Sequence, residues 1–246
     1  MILRCLIFSL AILASETARS QVLISLLLGD KLNSGKVEFG LDGGLTLSTQ
    51  SGLTQRKNLA TFNLGFYFDI KMKSPKFLLH TGVIVKSNLG AANLPVYPLS
   101  EADLDSALAG GSIDRKLSYF NVPVLIKYKL SDQFYVEAGP QLGLLYKAYD
   151  EFTNTVLGDE LTYRNEIRDY FHRLDAGMMA GVGYRFMKGN GMNFGARYYY
   201  GLVDVVIDDS GDAVANRSFY LTVGIPIGVG KAAAKKANAE KNEKSK

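Results

Sequence analysis

Two alternating stretches joined by a tight turn constrain this chain more than any other feature. From Phe120 to Leu130 every second residue is apolar or aromatic, and a second alternating run extends from Phe134 to Tyr146. A period of two predicts strands with one apolar and one polar face. Each run has roughly the ten residues that a tilted strand needs to cross a bilayer. The sequence therefore predicts a transmembrane hairpin, with residues 131–133 as its short turn.

Six further segments have the same period, which brings the predicted count to eight strands. The connections between them alternate between long and short, and outer-membrane barrels have long outside loops and short periplasmic turns. The predicted fold is therefore all-β, an eight-stranded antiparallel up-and-down transmembrane β-barrel within residues 36–230. The long connections are 48–58, 87–115, 147–170 and 203–216, and the short ones are 71–76, 130–133 and 187–191.

The polar faces of the predicted strands carry many glycines and charges of both signs. Glycine suits the narrow lumen of an eight-stranded barrel, and buried charges are costly unless they are paired. We therefore expect the apolar faces to contact lipid and the charges to form a structural network in the lumen. A narrow ion path is the alternative role for these charges. The predicted network comprises Glu38, Asp42, Lys127, Glu137, Arg173, Asp175, Arg185 and Arg197.

The two ends of the chain differ in composition from the middle. Arg4, a short apolar run and small residues up to Ser20 form the pattern of a secretory signal peptide over residues 1–20. Residues 21–35 form a predicted periplasmic lead-in, and residues 231–246 form a lysine-rich periplasmic tail. The single cysteine, Cys5, lies within the signal peptide, so we expect no thiol, disulfide or cysteine metal site in the mature chain.

The sequence predicts no catalytic, cofactor or metal site. The formal net charge of +4 comes from lysines of the tail and gives no reason to expect a nucleic-acid partner. A hydrolase at the barrel rim would have to use His172 with Asp169 or Asp175, and no catalytic motif surrounds them. The acidic segment 208–212 lacks the spacing of a calcium loop.

Four segments resemble a known family. Residues 121–130, 135–143, 181–184 and 196–202 are similar to the small porin-like, PorT-type outer-membrane β-barrel proteins of Gram-negative bacteria. The resemblance implies a barrel in the cell outer membrane. Members of the PorT type are implicated in secretion across that membrane, so the resemblance also implies secretion as a role to test. The chain departs from the usual pattern because it continues beyond Val229, its last predicted strand residue.

These observations favour a non-enzymatic barrel with a structural or accessory role in the outer membrane. Its expected contacts are outer-membrane lipid and a periplasmic or outer-membrane protein, reached through loops 87–115 and 147–170 or through tail 231–246. Two other functions fit the same pattern, namely a narrow porin for small solutes or ions and a soluble ligand-binding barrel.

Overall fold

A computed structural model describes residues 36–53, 56–156, 158–189, 191–208 and 211–227. The predicted signal peptide 1–20, lead-in 21–35 and tail 231–246 lie outside these ranges. Among the described residues, none of the helices combines the length and apolar character needed to cross a membrane.

Ten strands and three short helices occur in the described ranges. The helices are α1, Ala102–Leu108, a 3-10 helix, Arg168–Tyr170, and α2, Phe186–Gly189. The strands are β1, Val37–Gln50; β2, Leu59–Lys71; β3, Phe77–Lys86; β4, Asn88–Leu94; β5, Ser112–Lys129; β6, Phe134–Val156; β7, Asp159–Glu166; β8, Leu174–Arg185; β9, Asn193–Gly201; and β10, Asn216–Pro226.

Eight of these described strands close into a ring. The order around it is β1, β2, β3, β5, β6, β8, β9 and β10, and β10 pairs with β1 to complete it. Every pairing is antiparallel. Closure satisfies the backbone groups that an open sheet edge would expose to hydrocarbon. The ring confirms the predicted eight-stranded all-β architecture.

The two faces of the ring are divided as the alternation predicts. Apolar side chains such as Leu142 and Phe62 point away from the centre and are 57% and 54% exposed. Polar residues at the alternate positions are buried, and Arg197 is only 2% exposed. A soluble barrel would show the opposite division, because water would favour polar side chains outside.

Two of the predicted loops contain strands and short helices. Segment 87–115 contains β4, helix α1 and the start of β5, and segment 147–170 contains the end of β6, all of β7 and the 3-10 helix. These two long connections therefore carry strands in addition to the eight that were predicted. The β5–β6 ladder shifts its register between Ser118 and Tyr119 and then continues away from the ring, while β4 pairs with β5 and β7 pairs with β6.

We call this extension the distal sheet, which consists of β4, residues 112–118 of β5, residues 147–156 of β6, and β7. It has its own apolar cluster, because Leu94, Ile113 and Phe152 are buried together with Leu108 of α1. These side chains explain why charged segments nevertheless fold as strands. Burial of an apolar cluster outweighs weak strand patterning, since strand propensity depends strongly on context.

Candidate functional site

Arg197 of β9 lies at the centre of the lumen. Its Nη1 donates to Asp42 Oδ2 at 2.8 Å and its Nε donates to Glu137 Oε1 at 2.5 Å. Its Nη2 lies 3.0 Å from His80 Nε2. One guanidinium therefore ties β9 to β1, β6 and β3, and none of these three strands is a neighbour of β9 in the ring.

Lys127 of β5 extends this arrangement towards β2. Its Nζ donates to both oxygens of Asp69, at 3.1 and 2.9 Å, and lies 3.8 Å from Glu137 Oε2. His80 Nδ1 lies 2.6 Å from Asp69 Oδ1. Six strands thus contribute one side chain each to a continuous network. We call Asp42, Asp69, His80, Lys127, Glu137 and Arg197 the lumen cluster.

A separate ion pair lies nearer the short-turn end of the barrel. Arg185 Nη2 donates to Glu38, whose Oε1 also accepts from the Tyr67 hydroxyl at 3.2 Å. Arg185 Nε donates to the Gly191 carbonyl at 3.1 Å. This pair therefore joins β1, β2 and β8 below the lumen cluster.

Asp175 lies towards the opposite, long-loop end of the lumen. Its carboxylate accepts from the Tyr199 hydroxyl at 2.9 Å and from Asn216 Nδ2 at 2.8 Å. The predicted network would have paired Asp175 with a cation, whereas both of these donors are neutral. Asp175 is therefore a lumen residue that lies apart from the ionic contacts.

The structure departs from the predicted network at three positions. Arg173 is exposed and lies one residue before β8 begins, so its assignment to the lumen was wrong. Asp69 and His80 belong to the lumen cluster but were missing from the predicted set. Both occupy polar-face positions of their strands, so the alternation alone contained the signal that would have included them.

The comparison with family models shows which family the chain belongs to. The model described as outer membrane protein beta-barrel domain matches residues 20–206, which is more than half of the sequence. The chain belongs to the outer membrane protein beta-barrel domain family. It is accordingly located in the cell outer membrane, with the lipid-facing apolar surface described above.

Solved structures of other barrels are similar to this outer membrane protein at low identity. Ail of Yersinia pestis is 13% identical, with 79% of this chain and 100% of that chain covered and a TM-score of 0.39. OprG of Pseudomonas aeruginosa is 14% identical, with 79% and 95% covered and a TM-score of 0.39. Neisserial surface protein A is 13% identical, with 78% and 96% covered and a TM-score of 0.38. No curated protein matches the chain.

The distal sheet of this outer membrane protein has its own polar contacts. Arg115 forms a bidentate pair with Asp150, with Nε to Oδ1 at 2.9 Å and Nη2 to Oδ2 at 2.8 Å. The Tyr97 hydroxyl donates to Asp150 Oδ2 at 3.2 Å and accepts from Asn165 Nδ2 at 2.9 Å. Burial raises the pKa of Tyr97 to about 12. The connection before α1 is thereby fastened to β5, β6 and β7.

A second polar group lies on the opposite face of the hairpin formed by β6 and β7. Glu151 accepts from Lys116 and from Arg164, whose Nε lies 2.7 Å from Glu151 Oε2. The hydrogen bond from Lys116 is the main reason why the pKa of Glu151 is lowered from its ordinary value. This group links the two strands of the hairpin to β5.

A cavity of about 430 Å³ opens beside the Arg115–Asp150 pair, and Tyr97, Phe171 and Ile207 also line it. Arg115 lies over the Phe171 ring, with 5.3 Å from its Cζ to the ring centroid. The volume is in the range of small-molecule pockets. The distal sheet thus presents a concave surface beyond the membrane-spanning part of the strands.

His172 and Asp175, two of the residues that a hydrolase at the rim would have to use, differ in burial. His172 is exposed, whereas Asp175 is buried and accepts from Tyr199 and Asn216. A catalytic pair needs its base and its orienting acid within hydrogen-bonding reach of each other. The Asp175 carboxylate is therefore directed to Tyr199 and Asn216 in the lumen.

Proposed function

We propose that this protein is a non-enzymatic structural or accessory component of the outer membrane whose distal sheet contacts a protein partner. The observation that carries the proposal is the placement of Arg197, whose guanidinium contacts Asp42, Glu137 and His80 across the lumen. Side chains fill the interior of eight-stranded barrels, and a central ionic network adds to that filling. The barrel then acts as an anchor, and binding takes place outside it.

The construction of the distal sheet supports this division of roles. Hydrogen bonds and a separate apolar cluster hold the sheet in one shape, and a rigid surface loses little entropy when it binds. Its last strand, β7, pairs with β6 on one side and ends the described sheet order on the other. The side of β7 away from β6 therefore has backbone groups available to an added strand, which is a common mode of peptide recognition.

Secretion across the outer membrane is the accessory role that the PorT-type resemblance suggests. In such a role the partner would be another component of the secretion apparatus in the outer membrane or the periplasm. Contact through residues 87–115 and 147–170 places this partner at the long-loop end. Contact through tail 231–246 would place it at the short-turn end.

Shortening the distal hairpin tests the partner proposal. Replacing residues 153–162 by Asn-Gly removes the tip of β6 and β7 but leaves the part of each strand that lies in the ring unchanged. In native gels of outer membranes solubilised in mild detergent, we expect the wild-type protein in a complex larger than the monomer and the shortened variant as the monomer. Lys73→Asn combined with Ser74→Gly, at the other end of the barrel, should retain the complex. Equal migration of all three proteins would contradict a role for the distal sheet.

A narrow pore is the second candidate, and a specific observation favours it. Towards the long-loop end of the described lumen, buried side chains carry polar atoms without a direct hydrogen-bond partner, among them Asn121 and Ser48. Buried polar atoms of this kind are commonly hydrated. Planar-bilayer recordings separate the two functions, since the anchor gives no unitary conductance and the pore gives discrete steps that increase after Arg197→Ala.

A further inference from the structure

A groove on the lipid-facing side of the barrel crosses five consecutive strands. Its volume is about 710 Å³, and it lies between Leu130 at the short-turn end and the middle of the ring. The outside of a small barrel is convex, so its side chains diverge and do not enclose space. A hollow of this size therefore needs a local cause in the sequence.

The first side of the groove is one cross-strand row of outward-facing residues. Strand pairing aligns Leu45 with Leu221, Leu221 with Ala196, Ala196 with Val182, and Val182 with Val136. Ala196 is the small residue at the middle of this row, between two branched side chains. The side chains of this row therefore extend least from the barrel surface at its centre.

The second side is the next outward-facing row towards the short-turn end. It consists of Val223, Phe194, Tyr184 and Phe134, aligned by the same strand pairs. Phe194 and Tyr184 extend their rings where the first row has Ala196 and Val182. The aromatic rings of Phe134 and Tyr184 also contact each other, with centroids 4.8 Å apart. The aromatic side chains of this row therefore extend farther from the barrel surface than the side chains of the first row, and they hold each other in place.

The floor is the row of inward-facing residues between these two sides. Gly44, Thr222, Gly195, Gly183 and Tyr135 follow one another across the strands. At Gly183 a Cβ atom would lie 2.1 Å from the ring of Tyr135, so the lumen side of the floor is filled by that ring. The backbone itself forms the outer surface of the floor.

Acyl chains are the immediate surroundings of this groove, because the residues around it lie on the outward-facing apolar surface of the barrel. An unfilled hollow would forfeit dispersion contacts along its whole length. The floor crosses five strands, and four interstrand steps of about 4.8 Å give a length of roughly 19 Å. That length is comparable with the hydrocarbon depth of one leaflet, about half of a core ~30 Å thick. Because the strands of such barrels are tilted by about 35–45°, a row across them runs obliquely to the membrane.

We infer that this groove binds one acyl chain of a glycerophospholipid as a specific site, distinct from the lipids that exchange freely around the barrel. The chain lies obliquely over Ala196, and Phe194 and Tyr184 flank it on the short-turn side. The site accounts for the small residue at position 196. It is independent of the distal sheet and of the partner proposed above.

Native mass spectrometry of the full protein tests the site. The protein is folded into vesicles of palmitoyl-oleoyl phosphatidylethanolamine and phosphatidylglycerol and then transferred to mild detergent. We expect one retained phospholipid per wild-type barrel. Ala196→Phe should reduce retention by at least about fivefold, because its ring occupies the middle of the groove and removes the dispersion contacts of the chain. Ala138→Phe, at an exposed lipid-facing alanine of β6 outside the groove, should leave retention unchanged.

Two results would overturn the inference. Equal retention by wild type, Ala196→Phe and Ala138→Phe would show freely exchanging lipid only. A dimer mass that Ala196→Phe abolishes would show that a second copy of the chain occupies the groove. Heat-modifiable migration of each variant on gels establishes that it is folded, and Ala196→Leu provides a smaller filling residue with the same expected loss.

Discussion

Arg197 Nη2 donates to His80 Nε2 at 3.0 Å in the centre of the barrel. A guanidinium has only donors, so Nε2 is the acceptor and the ring proton resides on Nδ1. That nitrogen then donates to Asp69 Oδ1, which is 2.6 Å away. A single tautomer of His80 thus connects β9 to β2 through three side chains. The lumen cluster behaves as one hydrogen-bonded unit, and loss of one member leaves the others without compensation.

Arg197→Met is expected to lower the free energy of unfolding by about 3–5 kcal/mol, the typical cost of leaving buried carboxylates without their cation. Asp42 and Glu137 are the carboxylates concerned. Urea-induced unfolding in lipid vesicles measures the change. Arg173→Met is the matched control, because the exposed Arg173 makes no contact with the lumen cluster and its removal should leave the midpoint in place. Equal losses for both variants would refute the central role of Arg197.

Val124→Arg is expected to destabilise the folded barrel by about 2–4 kcal/mol, the cost of a cation on the lipid face near the middle of the membrane. Val124 lies in the ring portion of β5 and is exposed there. Thr155→Arg puts the same side chain on an exposed position of the distal sheet and should fold normally. The fraction of heat-modifiable protein after folding into vesicles measures both. Normal folding of Val124→Arg would contradict the assignment of this face to lipid.

Gly44→Ala is expected to cost about 1–3 kcal/mol through overpacking. A Cβ atom at Gly44 would lie 1.9 Å from the Leu221 carbonyl oxygen, which belongs to the backbone and cannot move aside without disturbing the β1–β10 ladder. Gly43→Ala introduces the same methyl group at the preceding residue, where the nearest atom to the added Cβ is the Asn63 carbonyl oxygen at 3.3 Å. Its effect on the urea midpoint should be clearly smaller. A larger effect at Gly43 would show that the close approach of β1 and β10 is misassigned.

Acid should loosen the distal hairpin before the ring strands. The pKa of Glu151 is lowered in the folded protein, chiefly by Lys116, so its contribution is complete above the ordinary glutamate pKa of about 4.3. That contribution is lost as the pH falls through the lowered folded value. Amide exchange protection of residues 149–156, compared at pH 6 and pH 3, measures the change.

Glu151→Gln supplies the control for this pH effect, because glutamine does not titrate. At both pH values the hairpin of Glu151→Gln should show the lower amide protection that the wild type shows at pH 3. Strand β1 should be equally protected in both proteins. Loss of hairpin protection on acidification in Glu151→Gln, as large as in the wild type, would exclude Glu151 as the responsible group.

The lumen cluster shows how far a pattern can locate a site. Alternation placed Asp42, Lys127, Glu137 and Arg197 on inward faces, since each strand position alternates between lipid and lumen. It did not indicate which of these side chains meet, because Arg197 contacts residues from strands that are separated from it by the curvature of the ring. Arg173 was misassigned because the predicted alternation was extended to a residue that precedes Leu174, where β8 begins.

The order of apolar and polar residues predicted the eight strands, and the glycines and charges of both signs on their polar faces favoured an apolar surface towards lipid. A period of two is a local property, because successive side chains of a strand point to opposite faces whatever its partner strands are. Only the folded ring establishes the distal sheet, the contacts among the side chains of the lumen cluster, and the groove over Ala196. Each of these depends on the register between strands, which arises only when the ring closes and brings residues far apart in the chain into one row.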